Sequence, residues 1–133
     1  MSAPHVMQLP TISNDGQGAS FFGTREVELN GGLTRQLSDQ IPAVNFRLRR
    51  SEGYSSDYHV AGDPTLLVVL SGTIRIELPT GETRDFTQGD LYVAEDYLNS
   101  DVIFDKSIHG HRAEMVGDTP YKALHIKLEK RSV

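Results

Sequence analysis

Short apolar runs separated by Gly, Pro, Asn and Asp turns fill the chain, and no segment repeats its apolar residues at helical spacing. In "TIRIEL", Ile74, Ile76 and Leu78 share one face and Thr73, Arg75 and Glu77 the other, the mark of a half-buried strand. The preceding "LLVVL" is apolar throughout and predicts a deeper strand. "PTGE" and "TQGD" supply turns, and "TRDF" and "LYVAED" the next strands, so the middle of the chain reads as an antiparallel meander. Upstream, "FFGTREVEL" reads as the first strand and "GGLTRQLSDQIPA" has room for one short helical turn. "VNFRLRR" alternates Val44, Phe46 and Leu48, expected inward, with Asn45, Arg47 and Arg49 on solvent or a pocket wall. Downstream, "RAEMVGDTPYKALHIKLEK" predicts two closing strands around "GDTP". In the last of them Leu124, Ile126 and Leu128 are expected to face the core, leaving His125 and Lys127 outside. Residues 1–20 are polar and turn-rich, which suits an arm or an edge segment ordered against another surface. The fold class is all-β.

A length of 133 residues bounds the chain to one domain, 1–133, with a single core. Thirteen Lys and Arg against eighteen Asp and Glu leave a net charge of −5, which argues against the basic footprint of a nucleic-acid binder. Without cysteine, chemistry must rest on His, Asp, Glu, Tyr, Ser, Lys or Arg. No apolar run approaches a bilayer span and the first residues lack the order of a signal peptide, so no membrane partner is expected and the location is expected to be cytoplasmic. Glycine-rich phosphate loops, a GxSxG elbow and an HExxH pair are all missing from the sequence.

The stretches "YHVAGDP", "LSG", "TGETRDF", "QGD", "AED" and "HGHR" together resemble a subgroup of the small single-domain cupins, and "DGQGASFF" is similar to that subgroup's opening. The resemblance runs from about Asp15 to Leu128 and implies a jelly-roll barrel, the double-stranded β-helix of that family. It also implies where ligands would sit. With the family's first motif anchored on its closing glycine, Gly72, the two histidine slots fall on His59 and Ala61 and the glutamate slot on Thr65. With the second anchored on Gly89, Glu95 takes the proline slot and Tyr97 the glycine slot, and Ser100 stands where a histidine belongs. Treating "NSDVIFDKSIH" as an insertion brings His111, or else His109, to that slot and puts Met115 in the asparagine slot.

From this follow three readings. In the first, the chain is an enzyme acting on an organic small molecule in the barrel, of dioxygenase, isomerase, epimerase or cyclase type. His59, His111 and Glu95 are its candidate catalytic groups, as acid and base or around one divalent metal (Fe, Mn, Ni, Cu or Zn) held by His59, His111 and His109. Tyr58, Arg47 and Asp96 are candidate ligand contacts, although tyrosines of this kind usually pack, and Arg47 equally suits a solvent face. In the second, the barrel binds a small ligand without changing it. In the third, a homodimer with a filled barrel is the functional unit; a homodimer joined through edge strands is expected in any case. The segment 97–108 is expected to cover the cavity as a lid or to pack on a partner subunit.

Overall fold

The structure, a computed structural model, describes residues 5–130. Its elements are β1 (His5–Asn14), β2 (Ser20–Leu29), β3 (Ala43–Ser51), β4 (Thr65–Ser71), β5 (Thr73–Glu77), β6 (Thr83–Thr87), β7 (Leu91–Ala94), β8 (Arg112–Val116) and β9 (Tyr121–Leu128). They form two sheets, one ordered β2-β1-β7-β4-β9-β3 and the other β6-β5-β8, whose inner faces meet in the jelly-roll barrel that the sequence led us to expect. No helix occurs among the described residues, so none is long and apolar enough to cross a membrane.

Alternation within strands builds the core. Leu67 and Val69 of β4 and Ile74 and Ile76 of β5 point inward from opposite sheets, joined by Ile12, Phe86, Tyr92, Ala94, Tyr121 and Ala123. Gly72 makes the passage between β4 and β5: its φ of 77° is left-handed, and a Cβ there would lie 2.8 Å from the Pro120 carbonyl oxygen.

The chain departs from its sequence reading in several places. The opening segment is an interior strand: β1 pairs with β2 antiparallel and, through Thr11 and Ile12, with β7 in parallel. The cause lies in "NDGQGAS", where Asp15 Oδ1 accepts the N–H groups of Gln17 and Ala19 and Gly16 and Gly18 take positive φ, closing a hairpin rather than a linker. "GGLTRQLSDQIPA" holds turns and bends but no helical turn. The middle strands exist where expected, yet they are no meander, because β4 pairs with β7 and β9 in one sheet while β5 pairs with β6 and β8 in the other.

The largest correction concerns β3 and β9. Their register sets Arg47 opposite His125 and Phe46 opposite Ile126. The inward face of β9 is Tyr121, Ala123 and His125, and Arg49 of β3 joins it at the cavity, so the apolar sets Phe46 with Leu48, and Leu124 with Ile126, face outward. Phe46 and Leu48 are each 70% exposed. The two-residue period was right and Leu128 is buried as expected, but at Phe46, Leu48, Leu124 and Ile126 the phase was inverted, since β3 is an edge strand whose outer face no other element covers among the described residues.

Candidate functional site

Where the two sheets part at one end, they leave a cavity of about 230 Å³. Its polar lining includes Arg49, Tyr54, His59, Thr65, His111 and His125. Two chain segments far apart in sequence create the histidine wall. His59 and His111 form an isolated antiparallel bridge in which each backbone N–H donates to the other's carbonyl at 2.9 Å. Residues so paired present their side chains on one face, and the rings lie 4.7 Å apart between centroids. Gly110 permits the approach: its φ is 84°, and a Cβ would stand 2.6 Å from the His59 carbonyl oxygen.

Behind the wall sits Asp96, with no exposed surface. Its Oδ2 accepts from His111 Nδ1 at 2.8 Å and from the Ser20 hydroxyl at 2.7 Å, and its Oδ1 accepts from the Ala61 N–H at 3.1 Å. Ser20 Oγ in turn accepts the Gly110 N–H. Burial alone would raise the Asp96 pKa, but the His111 hydrogen bond and charge, the Ser20 hydroxyl and the Ala61 amide more than offset it, leaving the carboxyl below its ordinary value. An ionised carboxylate can only accept, so the proton between them belongs to His111 Nδ1, and whenever the ring is neutral its lone pair is on Nε2. His59 is set the same way, its Nδ1 facing the Asp57 carbonyl oxygen at 3.0 Å. In their neutral forms both imidazoles thus carry the lone pair on Nε2, His59 at the exposed rim and His111 buried.

The remaining lining is aromatic and cationic. Burial pushes the Tyr92 and Tyr121 hydroxyls up, so both stay protonated. Arg49 lies 3.8 Å from the centroid of the Tyr54 ring. Burial, then the charges of Arg49 and Arg47, lower the His125 pKa and favour its neutral form, and its buried Nε2 has no hydrogen-bond partner.

Of the candidates read from sequence, the structure brings together His59 and His111 and places Asp96 behind them as the group that orients His111. It does not bring the others. Glu95 faces away from the cavity, bonded to Ser13 and paired with Arg25, because neighbours on an extended chain point to opposite sides. The Tyr58 hydroxyl donates to Glu77 at 2.8 Å and does not line the cavity. Arg47 is on the same face of β3 as Arg49 but does not line the cavity itself; it lies with Arg50 and Lys127 in a groove that adjoins the cavity at Arg49, Thr65 and His125. His109 is buried elsewhere, its Nδ1 accepting the Asp105 N–H and its ring against Gly18. Segment 97–108 does not cover the cavity either: Leu98, Asn99 and Val102 line a separate groove beside the β1–β2 turn.

A three-ligand metal centre does not fit these residues. No three His, Cys, Asp or Glu side chains among the described residues converge as a ligand set, and the expected third ligand, His109, points into another part of the molecule. Sequence reasoning missed Tyr54 and Ser20, left Arg49 open between solvent and a pocket wall, and placed His125 outside. Only the pairing of Arg47 with His125 fixes the phase that brings Arg49 and His125 inward, and one sequence does not encode that register visibly.

No protein-family model matches this chain, and no curated protein does. Among solved structures, it is similar to a cupin-2 domain containing protein from Shewanella frigidimarina (20% identity, TM-score 0.45, covering 63% of this chain and 69% of that one). It is also similar to a protein from Neisseria meningitidis (19%, TM-score 0.44, 68% and 84%) and to one described as ethanolamine utilization protein Q from Salmonella typhimurium LT2 (13%, TM-score 0.44, 96% and 98%).

Proposed function

We propose that the barrel binds a small organic molecule and moves a proton on it, as an isomerase or epimerase does, with His111 as the base. The observation that carries this reading is the buried Asp96–His111 couple, which fixes the tautomer of a cavity-lining His111 so that its neutral ring keeps the lone pair on Nε2. His111 Nε2 would take a proton from a carbon beside a carbonyl, and the Asp96 carboxylate at 2.8 Å from Nδ1 would stabilise the imidazolium so formed. His59, with its ring 4.7 Å away at the rim, would accept or return a proton on the same ligand. Metal-dependent oxygenation is not part of the reading, since the residues present do not form a ligand set for it.

The test is solvent exchange. The full chain is incubated in D2O with a panel of small 2-oxo acids, hydroxy ketones and aldoses, and loss of C–H signal is followed by proton NMR. Wild type should wash deuterium into at least one compound, and His111→Gln should slow this by about a hundredfold or more. Binding without any exchange would replace this reading with the non-catalytic ligand-binding one.

A second copy of the chain belongs to the same proposal. The free edge of β3 leaves a row of backbone N–H and C=O groups open, and its outer face continues through Ile126 and Leu124 to the partly exposed apolar residues of β4, including Leu70. Antiparallel pairing of β3 with its own copy about a twofold axis would satisfy those groups and cover Phe46 and Leu48.

A further inference from the structure

We infer that the ligand of this cavity is a small carboxylate, held by Arg49 at the β3–β9 side while the histidine wall faces its reactive end. The inference rests on the reading of the barrel as a ligand site and adds the chemical class of what enters it.

Three independent observations point to an anion. Arg49 reaches the cavity with no acidic partner among the described residues; its Nε donates only to the neutral Ser51 hydroxyl, at 2.9 Å. A guanidinium held against a ring face and bonded once keeps most of its donors for a planar anion, which it can grip with two parallel bonds. Next, no Asp or Glu lines the cavity or the adjoining groove that holds Arg47, Arg50 and Lys127. Arg50 pairs with Glu52 and Lys127 with Asp63 outside that groove, so Arg47 and Arg49 are the cations at this opening without an acidic partner among the described residues, and on a chain of net charge −5 they suit it to anions. Finally, the buried Nε2 of His125 has no hydrogen-bond partner, and its ring lines the cavity on the face that Arg49 occupies. A buried polar atom without a partner is costly, and a turn of this ring toward the cavity would let a ligand oxygen or hydroxyl beside Arg49 supply one. At about 230 Å³ the cavity is smaller than those that hold drug-sized molecules, which limits the occupant to a small acid.

Isothermal titration calorimetry of the full chain provides the test, with propanoate, pyruvate, malonate and benzoate as probes, each beside its neutral amide. At least one acid should bind, its amide at least tenfold more weakly, with affinity falling as salt is raised. Arg49→Met should lower that affinity tenfold or more, Arg49→Lys should restore part of it, and Arg84→Gln, remote from the cavity, should leave it unchanged; near-UV circular dichroism checks that each variant is folded. Equal affinity for acid and amide, an Arg49→Met variant that binds as wild type, or no binding of any of the four acids would each overturn the inference. Deuterium exchange into a neutral carbonyl compound would leave the proton-transfer reading standing while this one fell. Carboxylate binding through Arg49 without exchange would do the reverse.

Discussion

Replacing Asp96 by asparagine should keep the fold and invert the tautomer of His111. Asparagine has one acceptor oxygen where aspartate has two, and three donors meet this side chain: Ala61 N–H, Ser20 O–H and His111 Nδ1–H. The backbone N–H of Ala61 cannot turn away, whereas the serine hydroxyl rotates and imidazole can move its proton. The asparagine oxygen should therefore stay on Ala61 and its NH2 should face His111, which must then accept at Nδ1 and carry its proton on Nε2. The cost is the difference between charged and neutral hydrogen bonds, about 1–2 kcal/mol. Alanine instead leaves all three donors without a partner in a site with no exposed surface, and should cost about 3–5 kcal/mol. For a chain of this length that corresponds to a fall in Tm of roughly 12–20 °C. Urea denaturation followed by circular dichroism measures both, and nitrogen-15 shifts of the imidazole ring report the tautomer. The pH dependence adds a check. The Asp96 pKa is depressed in the folded state, so its stabilisation is present above the unfolded value of about 3.9 and is lost as pH falls through the folded one. Wild type and Asp96→Asn should therefore converge in acid. A folded Asp96→Asn with His111 still protonated on Nδ1, or an Asp96→Ala cost below about 1 kcal/mol, would refute the argument.

Other outcomes follow from single contacts. Gly110→Ala places a Cβ 2.6 Å from the His59 carbonyl oxygen at a left-handed φ, so it should cost about 2 kcal/mol or more in urea denaturation and separate the His59–His111 bridge, seen as loss of amide-exchange protection at both residues. His125, whose pKa is lowered by burial and then by Arg49 and Arg47, gives stability that is present above its unfolded pKa of about 6.5 and is lost as pH falls through the folded value. The melting temperature of His125→Gln should accordingly change less than that of wild type between pH 7 and pH 5, and equal slopes would contradict this. The double variant Phe46→Glu with Leu48→Glu should be monomeric by light scattering where wild type is dimeric, with a Tm close to the monomer's own; a wild type that is itself monomeric at high concentration removes the β3 pairing. Asp85→Asn breaks an ion pair with Arg75 that stands about two-fifths exposed and solvent-screened, and the midpoint of urea denaturation should stay at the wild-type value.

Much of the barrel was legible because strand alternation is local. Ile74, Ile76 and Leu78 share a face in any extended chain, and all three are core. Gly72 closes the first motif of the cupin resemblance, and in the structure it separates β4 from β5 with a φ and crowding that only glycine meets readily. His59 and His111 were legible as a pair through the cupin resemblance. Glu95 and Asp96 were not separable by sequence, since adjacent acids differ only in which side of the strand they take, and the fold turned one to Arg25 and the other to His111.

The sequence by itself determined that this chain is a β-protein without cysteine chemistry and where its middle strands lie, while the cupin resemblance marked His59 and His111 as candidates to meet. Tertiary structure alone decided the phase of β3 and β9, and with it the presence of Arg49 and His125 in the cavity and of Phe46 and Leu48 outside. The reason is geometric. A strand's two faces are fixed by the chain's own period, but inside and outside exist only once a second sheet lies against one of them.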